Sequence, residues 1–550
     1  MITQQCLEEP LKPQYRGGIL VNPEFNNGLK GWSAFGGGGK ITHRKSKGGN
    51  GFIVAHSRNQ PFDTFSQKIY LQKGKLYTFS SWIQVSEGIV PVTAVFKTTD
   101  GFTQAGAVIA ESGCWSMLKG GLTVNSSGPA ELYFESNNTN VEIWVDSVSL
   151  QPFTEEQWRS HQDESIAKVR KRNVKIHAVN SKGEVLDGAE IHIKYNKPSF
   201  PFGTAITKQI LTNPAYQNWF TSRFTVTVFE NEMKWYATES IRGKEDYSVP
   251  DAMLRLAKQH GISVRGHNIF WDDAKYQPWW VKSLHPAELK AAADKRINSV
   301  VSRYAGQLTG WDVINENLHF SFFEDALGAN ASSVFFSRAH QLDFKTTMFL
   351  NDYNTIERSN DPKASPAQYL RKLRQIWSFP GNNGPTGIGL EGHFDTPNIP
   401  YMRAAIDTLA AARVPIWLTE VDVGRSGNQA KYLEQILREA HSHPAVHGIV
   451  LWAAWSPSGC WRMCLTDNNF RNLPTGDVVD KLINEWGPRK LVEGTTNSNG
   501  DFEISLFHGD YDVMINHPSM NSSITQSFKV TATETSQETT TTTLHVQVDA

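Results

Sequence analysis

The chain has 550 residues, and its 39% hydrophobic and 20% charged content is that of a folded protein rather than a disordered one. Lys and Arg number 54 and Asp and Glu 55, so the formal net charge is −1. This balance argues against nucleic acid as a partner, since a phosphate-backbone binder is usually basic. No apolar run approaches the roughly 20 residues of a membrane-spanning helix, so we expect no membrane partner. Aromatic residues reach 11%, which indicates large cores or flat surfaces that stack on sugar rings or bases.

The N-terminal part, residues 17–151, has the pattern of an all-β module. Short alternating runs such as GKLYTFSSWIQVS lie between turn clusters rich in Gly, Asn and Ser, and no helix-length periodic segment intervenes. This spacing predicts a β-sandwich of the jelly-roll kind. Residues 154–172 are charged and helix-prone, and Thr154 with Gln157 forms a capping-box pattern. We predict a linker helix there, with its basic end KVRKR as a solvated face or an interdomain contact.

Residues 199–486 alternate between strand and helix patterns. The predicted strands are 201–206, 224–230, 263–270, 308–316, 345–353, 387–394, 414–423 and 448–455. Eight βα units in just under 300 residues predict the α/β fold class, specifically a (β/α)8 TIM barrel. An open doubly wound sheet is the alternative, and it fits less well because no Gly-rich nucleotide turn opens the first unit.

Two short β-rich segments flank the barrel. Residues 173–195 are predicted to form a hairpin around SKGE, and 494–517 contain turns at SNGD and HGD. A strand-like TTTLHVQV ends the chain, and the Thr run 539–543 fits a linker or a strand. Neither segment is long enough for a core of its own. We therefore predict that 173–198 and 487–550 pair into one small, discontinuous accessory β domain.

Polar residues concentrate at the ends of seven predicted barrel strands, where a TIM barrel carries its active site. They include Glu230, Asn231, Lys234, His267, Trp271, Asp272, Asn315, Glu316, Asn351, Tyr353, Glu391, His393, Glu420, Asp422 and Trp452, with Trp461 in the next loop. A structural ion pair explains any one of them as well as catalysis does. Burying so many polar groups is costly, however, and no zinc, phosphate-loop or nucleophilic-serine motif accompanies them. Paired carboxylates between aromatic walls are the equipment for cleaving a glycosidic bond, and the predicted pair is Glu316 and Glu420.

The barrel sequence closely resembles family 10 glycoside hydrolases, the endo-1,4-β-xylanases. The matching motifs, in the family's order, are FENEMKW at 229–235, RGHNIFW at 265–271, WDVINE at 311–316, LNDYN at 350–354, GIGLEGHF at 387–394 and IWLTEVDV at 416–423. Residues 17–151 more weakly resemble the family 22 carbohydrate-binding module, through NPEFNNGLKGW at 22–32 and WVDSVSL at 144–150. This module, together with HFSFFED at 319–325, resembles the plant branch of the family.

The resemblance implies a role for each matching residue. Glu316 corresponds to the general acid/base, with Asn315 on the sugar 2-hydroxyl, and Glu420 corresponds to the nucleophile. His393 and Asp422 correspond to the pair that orients and tunes that nucleophile. The implied substrate-binding residues are Glu230, Asn231, Lys234, His267 and Trp271 in the glycone subsites, Tyr353, Trp452 and Trp461 as aromatic walls, and Glu391 beside them.

Two positions depart from the family pattern. Glu391 stands where the family commonly has Gln, and Asp272 where it has His. Glu391 would add a third carboxylate near the catalytic pair and raise their pKa values by like-charge repulsion. The departures affect the expected pH optimum and glycone contacts, but both principal carboxylates are present.

The expected function is a retaining endo-1,4-β-xylanase that acts on xylan and xylo-oligosaccharides as a monomer, with no cofactor for catalysis. A transglycosylase that uses the same intermediate has the same sequence pattern as a hydrolase. A β-glucanase or mannanase also fits a barrel with paired carboxylates, and an inactive carbohydrate-binding protein is the option outside the enzymes.

In the N-terminal module, Tyr133 and Glu135 share one face of a strand, because alternate residues do so. They fit either a sugar contact or an ordinary surface pair. By resemblance, Glu24 and Asp146 are expected to be ligands of a structural calcium.

The chain has four cysteines, two of which lie close together in sequence. Cys460 and Cys464 lie four residues apart after the last strand and fit a disulfide or two free thiols, whereas nothing local supports pairing of Cys6 with Cys114.

The chain starts without a secretory signal, yet polymeric xylan is extracellular, so we expect a secreted cell-wall or apoplast protein whose signal peptide is missing here. Weak support comes from the glycosylation sequons at Asn125, Asn137, Asn330 and Asn521.

Overall fold

The structure is a computed structural model that describes residues 6–452, 454–487, 491–518, 523–532 and 542–548. Its first part is an antiparallel β-sandwich, as predicted. The strands are β1 Cys6–Leu7, β2 Ser33–Phe35, β3 Lys40–Lys45, β4 Gly51–His56, β5 Thr64–Leu71, β6 Leu76–Val85, β7 Ile89–Thr98, β8 Gly101–Glu111, β9 Trp115–Leu122, β10 Gly128–Glu135 and β11 Ile143–Phe153, with a 3₁₀ turn at Gln14–Gly17.

The two sheets of the sandwich have the orders β1-β9-β6-β11-β4-β3 and β2-β5-β10-β7-β8 among the described residues. Their inner faces bury apolar side chains such as Phe65, Phe79, Phe96 and Phe134, which pack together between the sheets. The outer side chains alternate with these along each strand, as period-two patterning requires. Cys6 and Cys114 are bonded as a disulfide, with their Cα atoms 5.3 Å apart.

The predicted linker helix is α1, Glu155–Arg170, and it begins with the expected Thr154–Gln157 capping box. It is packed against the barrel: the side chains of Trp158 and Gln162 both donate to Glu439 Oε2 at 2.7 Å. Arg170 donates to backbone carbonyls of the barrel, so the basic end forms an interdomain contact. The helix ends two residues earlier than predicted, because the next residues already belong to strand β12, Lys171–Asn180. Strand β13, Glu190–Pro198, follows.

The predicted TIM barrel is confirmed. Its strands are β14 Phe202–Ile206, β15 Val226–Phe229, β16 Ser263–Trp271, β17 Gly310–Asn315, β18 Thr347–Asp352, β19 Thr386–Leu390, β21 Ile416–Val423 and β22 Val446–Leu451, with the short β20 His393–Phe394 beside β21. These eight described strands pair in parallel, and the barrel closes through β14–β22 and β19–β21. The predicted strand 387–394 is split into β19 and β20, because the chain turns at Gly392, whose φ is +90°.

Helices surround the barrel. They are α2 Pro214–Thr221, α3 Trp235–Thr238, α4 Ser248–Gln259, α5 Pro286–Tyr304, α6 Phe322–Leu327, α7 Ala331–Leu342, α8 Pro366–Trp377, α9 Ile399–Ala410, α10 Gln429–Ser442 and α11 Pro474–Trp486, with 3₁₀ turns at Lys208–Leu211, Ala274–Tyr276 and Val281–Ser283. As predicted, Pro286 opens α5, where its missing N–H costs nothing, and Gly261 follows α4 with a φ of +65°. No helix in the described part of the chain combines the length and apolar character needed to cross a membrane.

The segments on either side of the barrel pair with each other. The C-terminal strands are β23 Val492–Thr495, β24 Asp501–Phe507, β25 Gly509–Asn516, β26 Ile524–Val530 and β27 Thr542–Val548. They form two sheets with β12 and β13, in the orders β24-β12-β27 and β23-β13-β25-β26. The predicted 173–195 hairpin is wrong, because β12 and β13 lie in different sheets, although Asn180 N does donate to Glu184 O across the SKGE turn. Of the predicted Thr run, residues 539–541 lie outside the described residues, and the rest opens β27.

Candidate active site

Two carboxylates from distant parts of the chain lie at the carboxyl end of the barrel. Glu316 directly follows β17, and Glu420 lies within the C-terminal half of β21. Asn351 at the end of β18 joins the two strands, because its Nδ2 donates to Glu420 Oε1 at 3.1 Å and to Asn315 Oδ1 at 2.8 Å. Thr419 Oγ1 fixes the amide by donating to Asn351 Oδ1 at 2.5 Å. Asn351 was predicted to lie at a strand end, but no role was predicted for it.

Glu316 is set up to hold a proton. Burial raises its pKa to about 8, and the nearby charges of Asp352 and Glu420 act in the same direction. Its φ of +61° is unusual for a residue with a side chain, and its N–H donates to Asn351 O at 2.9 Å. Outliers of this kind concentrate at functional sites, where they aim a side chain.

Glu420 is set up to stay ionised. Burial opposes this, but two imidazoles and an ammonium group outweigh it and lower the pKa of Glu420 to about 2. His267 Nε2 lies 3.8 Å from Glu420 Oε1, and His393 Nε2 lies 3.6 Å from Oε2. The cleft therefore contains one carboxyl that is neutral near pH 7 and one that is charged, the combination needed by a general acid and a nucleophile.

His393 connects the nucleophile candidate to a chain of charges. Its Nδ1 lies 3.1 Å from Asp422 Oδ2, and its Nε2 lies 3.2 Å from Glu391 Oε2. Burial opposes a charged imidazole, but Asp422 and Glu391 raise the pKa of His393 well above its usual value. Asp422 Oδ1 in turn accepts from Arg462 Nε at 2.8 Å. Arg462 was not predicted, since nothing in a loop sequence indicates which strand the side chain will reach.

Glu391 lies within this cluster, as expected, but the expected rise in the pKa of both neighbouring carboxyls is wrong for Glu420, because nearby cationic groups lower its pKa. Glu391 is 1% exposed, and burial raises the pKa of Glu391 well above its usual value, helped by repulsion from Glu420 and Glu316. Its surroundings therefore favour the neutral, hydrogen-bonding form of Glu391 over the charged form. The other departure, Asp272, is buried beside the next loop: its oxygens accept from Asn317 Nδ2 at 2.6 Å and Phe323 N at 3.1 Å. Burial raises the pKa of Asp272 to about 6.

The predicted glycone residues lie on one side of the carboxylates. Lys234 Nζ lies 4.5 Å from the ring centroid of Trp271 and 5.7 Å from that of Trp452, and it donates to Asn231 Oδ1 at 3.3 Å. Burial lowers the pKa of Lys234, although Glu420 and Glu230 act in the opposite direction. The structure adds one residue that was not predicted: Tyr276 stacks on Trp271 with ring centroids 3.9 Å apart.

Buried polar contacts fix these walls. His267 Nδ1 lies 2.9 Å from Asp312 Oδ2. Asn231 Nδ2 donates to Glu230 Oε1 at 3.5 Å, and burial raises the pKa of Glu230. The imidazole of His267 also meets the indole of Trp452 edge-on, with centroids 5.4 Å apart. Every glycone residue expected from the sequence is therefore in this part of the barrel mouth.

The predicted aromatic residue Tyr353 contacts His319, and the predicted aromatic residue Trp461 contacts His393. Tyr353 stacks on His319, with centroids 3.8 Å apart and an interplanar angle of 9°. His319 was not predicted; its ring nitrogens lie 2.6 Å from Asp352 Oδ1 and 2.9 Å from Asp361 Oδ2. Burial opposes a charged His319, but the two carboxylates outweigh it and raise its pKa. Trp461 is 68% exposed and meets His393 edge-on at 5.4 Å.

The loop that carries Trp461 is closed by a disulfide between Cys460 and Cys464, whose Cα atoms are 5.4 Å apart. The bond was one of two outcomes left open by the sequence. The five-residue ring holds Trp461 at the cleft and directs Arg462 toward Asp422.

In the N-terminal module, Tyr133 and Glu135 lie on one face of β10, as alternation requires, and Tyr133 Oη donates to Glu135 Oε2 at 3.4 Å. Tyr133 is only 4% exposed, because Phe35 stacks on it with centroids 4.1 Å apart. The ring expected to meet a sugar is thus covered. The neighbouring Phe102 is 67% exposed and meets Tyr133 edge-on.

The two carboxylates expected to bind calcium are close enough to interact. Burial raises the pKa of Asp146 to about 7, and Glu24 contributes repulsion. Asp146 accepts from Asn50 Nδ2 at 2.8 Å and from Ser147 N at 2.6 Å, while Glu24 pairs with Lys12. A buried carboxylate facing a second one is a donor set that suits a hard cation such as calcium.

Comparison with known proteins agrees with this geometry. Residues 192–474, just over half of the chain, match the model of glycosyl hydrolase family 10. The chain belongs to glycosyl hydrolase family 10. Residues 17–140 match the model of a carbohydrate binding domain.

Two plant relatives match over most of both chains. "Endo-1,4-beta-xylanase 5" of Arabidopsis thaliana is 45% identical over 476 residues, which cover 85% of this chain and 84% of that protein. "Endo-1,4-beta-xylanase 4" of the same plant is 43% identical over 484 residues, covering 85% of each. Among solved structures, native xylanase 10B of Thermotoga maritima aligns with 52% of this chain and 97% of its own, at 23% identity and a TM-score of 0.46.

Proposed function

We propose that this protein is a retaining endo-1,4-β-xylanase. The observation that carries the proposal is the pair of carboxyls with opposite pKa shifts, about 8 for Glu316 and about 2 for Glu420, at one barrel mouth. One carboxyl can donate a proton at the pH at which the other is a charged nucleophile. Membership in family 10 and the similarity to plant proteins named endo-1,4-beta-xylanases support the same function.

The first chemical step uses both carboxyls. A Glu420 oxygen attacks the anomeric carbon, and the bond from that carbon to the leaving oxygen breaks while Glu316 gives its proton to that oxygen. The result is a glycosyl ester on Glu420 and an ionised Glu316. Asn315 binds the 2-hydroxyl, and His393, held by Asp422, keeps the nucleophile ionised and oriented.

The second step reverses the roles. Glu316 takes a proton from water, the oxygen attacks the anomeric carbon, and Glu420 leaves as a carboxylate. Two inversions restore the original configuration. If a sugar hydroxyl replaces water, the same intermediate yields a transglycosylation product, which chromatography of the products separates from simple hydrolysis.

Two observations support xylan as the substrate: the polar and aromatic residues of the predicted glycone subsites, and membership in family 10. Lys234, Asn231 and Glu230 offer hydrogen bonds beside the indole of Trp271, on which a pyranose ring stacks. Reducing-sugar release from xylan, a β-glucan and a mannan tests this choice. Faster release from the glucan or the mannan would instead indicate a glucanase or a mannanase, and no release from any of the three would indicate an inactive carbohydrate-binding protein.

Two variants test the mechanism. Glu420→Ala removes the nucleophile and should abolish turnover on every substrate. Glu316→Ala should spare aryl xylosides with good leaving groups, because these need no protonation. NMR of the first product should show the retained anomer, since retaining enzymes hold the two carboxyls about 5–5.5 Å apart and inverting ones about 6.5–9.5 Å. An inverted product would overturn the assignment.

We propose further that the N-terminal module is a family 22 type module that binds xylan without cleaving it. Its match to a carbohydrate binding domain supports this, as does its exposed aromatic residue Phe102. Glu24 and Asp146 would bind a structural calcium there, and the ion would neutralise two carboxylates that otherwise repel each other.

We also propose that the protein works outside the cell, on wall xylan, as a glycosylated monomer. The sequon residues Asn125, Asn137 and Asn330 are exposed, as glycosylation requires, and Asn521 lies outside the described residues. Two cysteine pairs in disulfides fit an oxidising compartment. A fluorescent fusion of the complete gene product found only in the cytosol, or a dimer in size-exclusion chromatography, would contradict these points.

A further inference from the structure

The N-terminal module is packed directly onto the barrel. Strand β9 lies against α9, and the edge strand β8 lies beside α8. Asn398 Nδ2 donates to Gly121 O at 3.0 Å, and Ser359 Oγ donates to Gln104 O at 2.5 Å. A Cβ on Gly121 would come within 2.5 Å of Pro400, so the glycine permits this close approach. The module is therefore held in a fixed position.

These contacts fall on the catalytic side of the barrel. Ser359 lies in the loop between β18 and α8, and that loop starts with Tyr353, the aromatic wall stacked on His319. The same loop carries Asp361, which bonds to His319. Loops after barrel strands line the active-site face, so the edge of the module touches the loop that forms one side of the cleft.

An aromatic cluster on the module lies next to this contact and presents one exposed ring, that of Phe102. It consists of Phe35, Tyr133 and Phe102, with ring centroids 4.1 Å apart for the first pair and 6.5 Å for the second. Phe102 is 67% exposed and lies two residues before Gln104 on β8, so its ring is on the strand that meets the barrel loop. Ser359 binds the backbone carbonyl of Gln104, so the contact is made by the edge of the sheet, and Phe102 stands beside this contact on the same strand.

We propose that this aromatic cluster continues the catalytic groove, so that one β-1,4-linked xylan chain contacts the exposed ring of Phe102 and the cleft at the same time. The inference rests on the proposed xylanase function. An exposed aromatic ring is a flat apolar face for a pyranose, and Glu135 beside the cluster is a hydrogen-bond acceptor. Because both parts are rigidly placed, a chain bound at Phe102 is already aligned with the cleft, at a smaller entropic cost than for a module on a flexible tether.

The test compares a long and a short substrate with the full chain. We define the length advantage as kcat/KM on polymeric xylan divided by kcat/KM on xylotetraose. Phe102→Ala should lower this ratio by about two- to tenfold, the range that one aromatic contact provides. Ile89→Ala removes another exposed side chain of the same sheet, 65% exposed and outside the cluster, and should change neither rate.

A second variant separates a continuous groove from a mobile anchor. Gly121→Val should push the module away from Pro400 and lower the length advantage as much as Phe102→Ala does. The double variant should show no further loss, because both changes break one shared contact path. Gly427→Ala is the matched control, since its Cβ would meet nothing within 4 Å. If Gly121→Val does not fold by circular dichroism, Gly121→Ala makes the same test with a smaller displacement.

Each result decides the matter. If the folded Gly121 variant keeps the length advantage of the wild type and Phe102→Ala loses it, the module is only an anchor. If neither variant loses the length advantage, the cluster does not bind xylan. If the wild type cleaves neither substrate, the proposed function fails. Binding along the proposed groove is then tested separately, by the retardation of each protein during electrophoresis through a gel that contains xylan. Weaker retardation of both variants than of wild type would support it, and equal retardation would overturn it.

Discussion

The two proposed catalytic carboxyls differ in pKa because of their neighbours, although both are glutamates in one cleft. Glu420 has imidazole nitrogens within 4 Å on two sides, from His267 and His393. For Glu316, burial is the main cause of the raised pKa; a hydrogen bond from Trp271 opposes it, and the negative charges of Asp352 and Glu420 add to it. In the proposed mechanism, the histidines on β16 and β20 thus assign the nucleophile role to Glu420 and leave the acid role to Glu316.

This division predicts the pH dependence of kcat/KM. Glu316 must be protonated to act as the acid, and burial raises its pKa to about 8, so activity should fall as the pH rises through about 8. Glu420 must be ionised, and its pKa of about 2 leaves it charged throughout the working range. Rates on xylo-oligosaccharides between about pH 3 and 10 test this. In Glu316→Ala, measured with an activated aryl xyloside, the alkaline fall should disappear; if it persists, another group causes it.

The third carboxyl gives a second prediction at this scale. Burial and like charges raise the pKa of Glu391 well above its usual value, so the neutral form of its side chain is favoured. Glu391→Gln should then keep kcat/KM at pH 6 within about threefold of wild type, a change of less than about 1 kcal/mol. Glu391→Ala, which leaves His393 without this partner, should lose more. A tenfold or larger loss in Glu391→Gln would show that the charged form is needed.

The sequence was enough to predict the carboxylates but not their supports. Glu316 and Glu420 stand at strand ends, and parallel strands of a barrel bring their ends together whatever the loops do. His319, Tyr276 and Arg462 come from loops, whose paths depend on contacts that no short-range pattern encodes. Tyr133 was predicted on the right face, but its covering by Phe35, which comes from a strand far earlier in the chain, was not predictable from strand alternation.

At the scale of elements, the loop after β22 supports the site mechanically. Cys460 and Cys464 close a ring of five residues, and Arg462 in that ring donates to Asp422 at 2.8 Å and to Asp395 at 2.9 Å. Asp422 orients His393, which lies beside Glu420. A covalent ring thus fixes a chain of contacts that ends at the nucleophile.

The two disulfides should therefore affect stability and activity differently. Removing a cross-link costs more when the loop it closes is longer, and the separations are 108 residues for Cys6–Cys114 and 4 for Cys460–Cys464. Serine pairs should lower the free energy of unfolding by about 5 and about 2 kcal/mol respectively. Only the second pair should reduce kcat, by about tenfold, through misplacement of Arg462.

Denaturant unfolding and initial rates on the two double-serine variants check this pattern. Each variant is the control for the other, because both lose one disulfide. Unchanged kcat in Cys460→Ser/Cys464→Ser would mean that Arg462 is held without the ring.

The order of helices and strands was mostly predictable, and the exceptions have physical causes. The eight barrel strands follow from their apolar runs and turn residues. The break between β19 and β20 depends on Glu357, whose Oε1 accepts from Gly392 N at 2.9 Å and His393 N at 3.0 Å, a contact between distant residues. The failed hairpin at 173–195 shows the same limit: the SKGE turn forms, but strands from the far end of the chain compete for the pairing of β12 and β13.

At the scale of the whole molecule, the described part of the chain buries three main apolar clusters, in the sandwich, the barrel and the flanking β strands. The sandwich touches the barrel through β9 and α9, and the helix α1 bonds to the barrel through Trp158 and Glu439. Regions with separate cores unfold with some independence even where they touch, so a ligand of one region should act mainly on the transition of that region.

Calcium should therefore stabilise the N-terminal sandwich and leave the barrel transition unchanged. A ligand at about 100 times its Kd stabilises the folded state by about 2.7 kcal/mol, and binding at Glu24 and Asp146 also removes the repulsion between two carboxylates. Calorimetry of the full chain should show one transition at a higher temperature in calcium than in chelator. Asp146→Ala should abolish that difference, whereas Glu87→Gln, an exposed carboxylate of the same sandwich, should keep it. Identical scans of the wild type in calcium and in chelator would mean that Glu24 and Asp146 hold no ion, and that Asp146 stays neutral by protonation, as its raised pKa of about 7 allows.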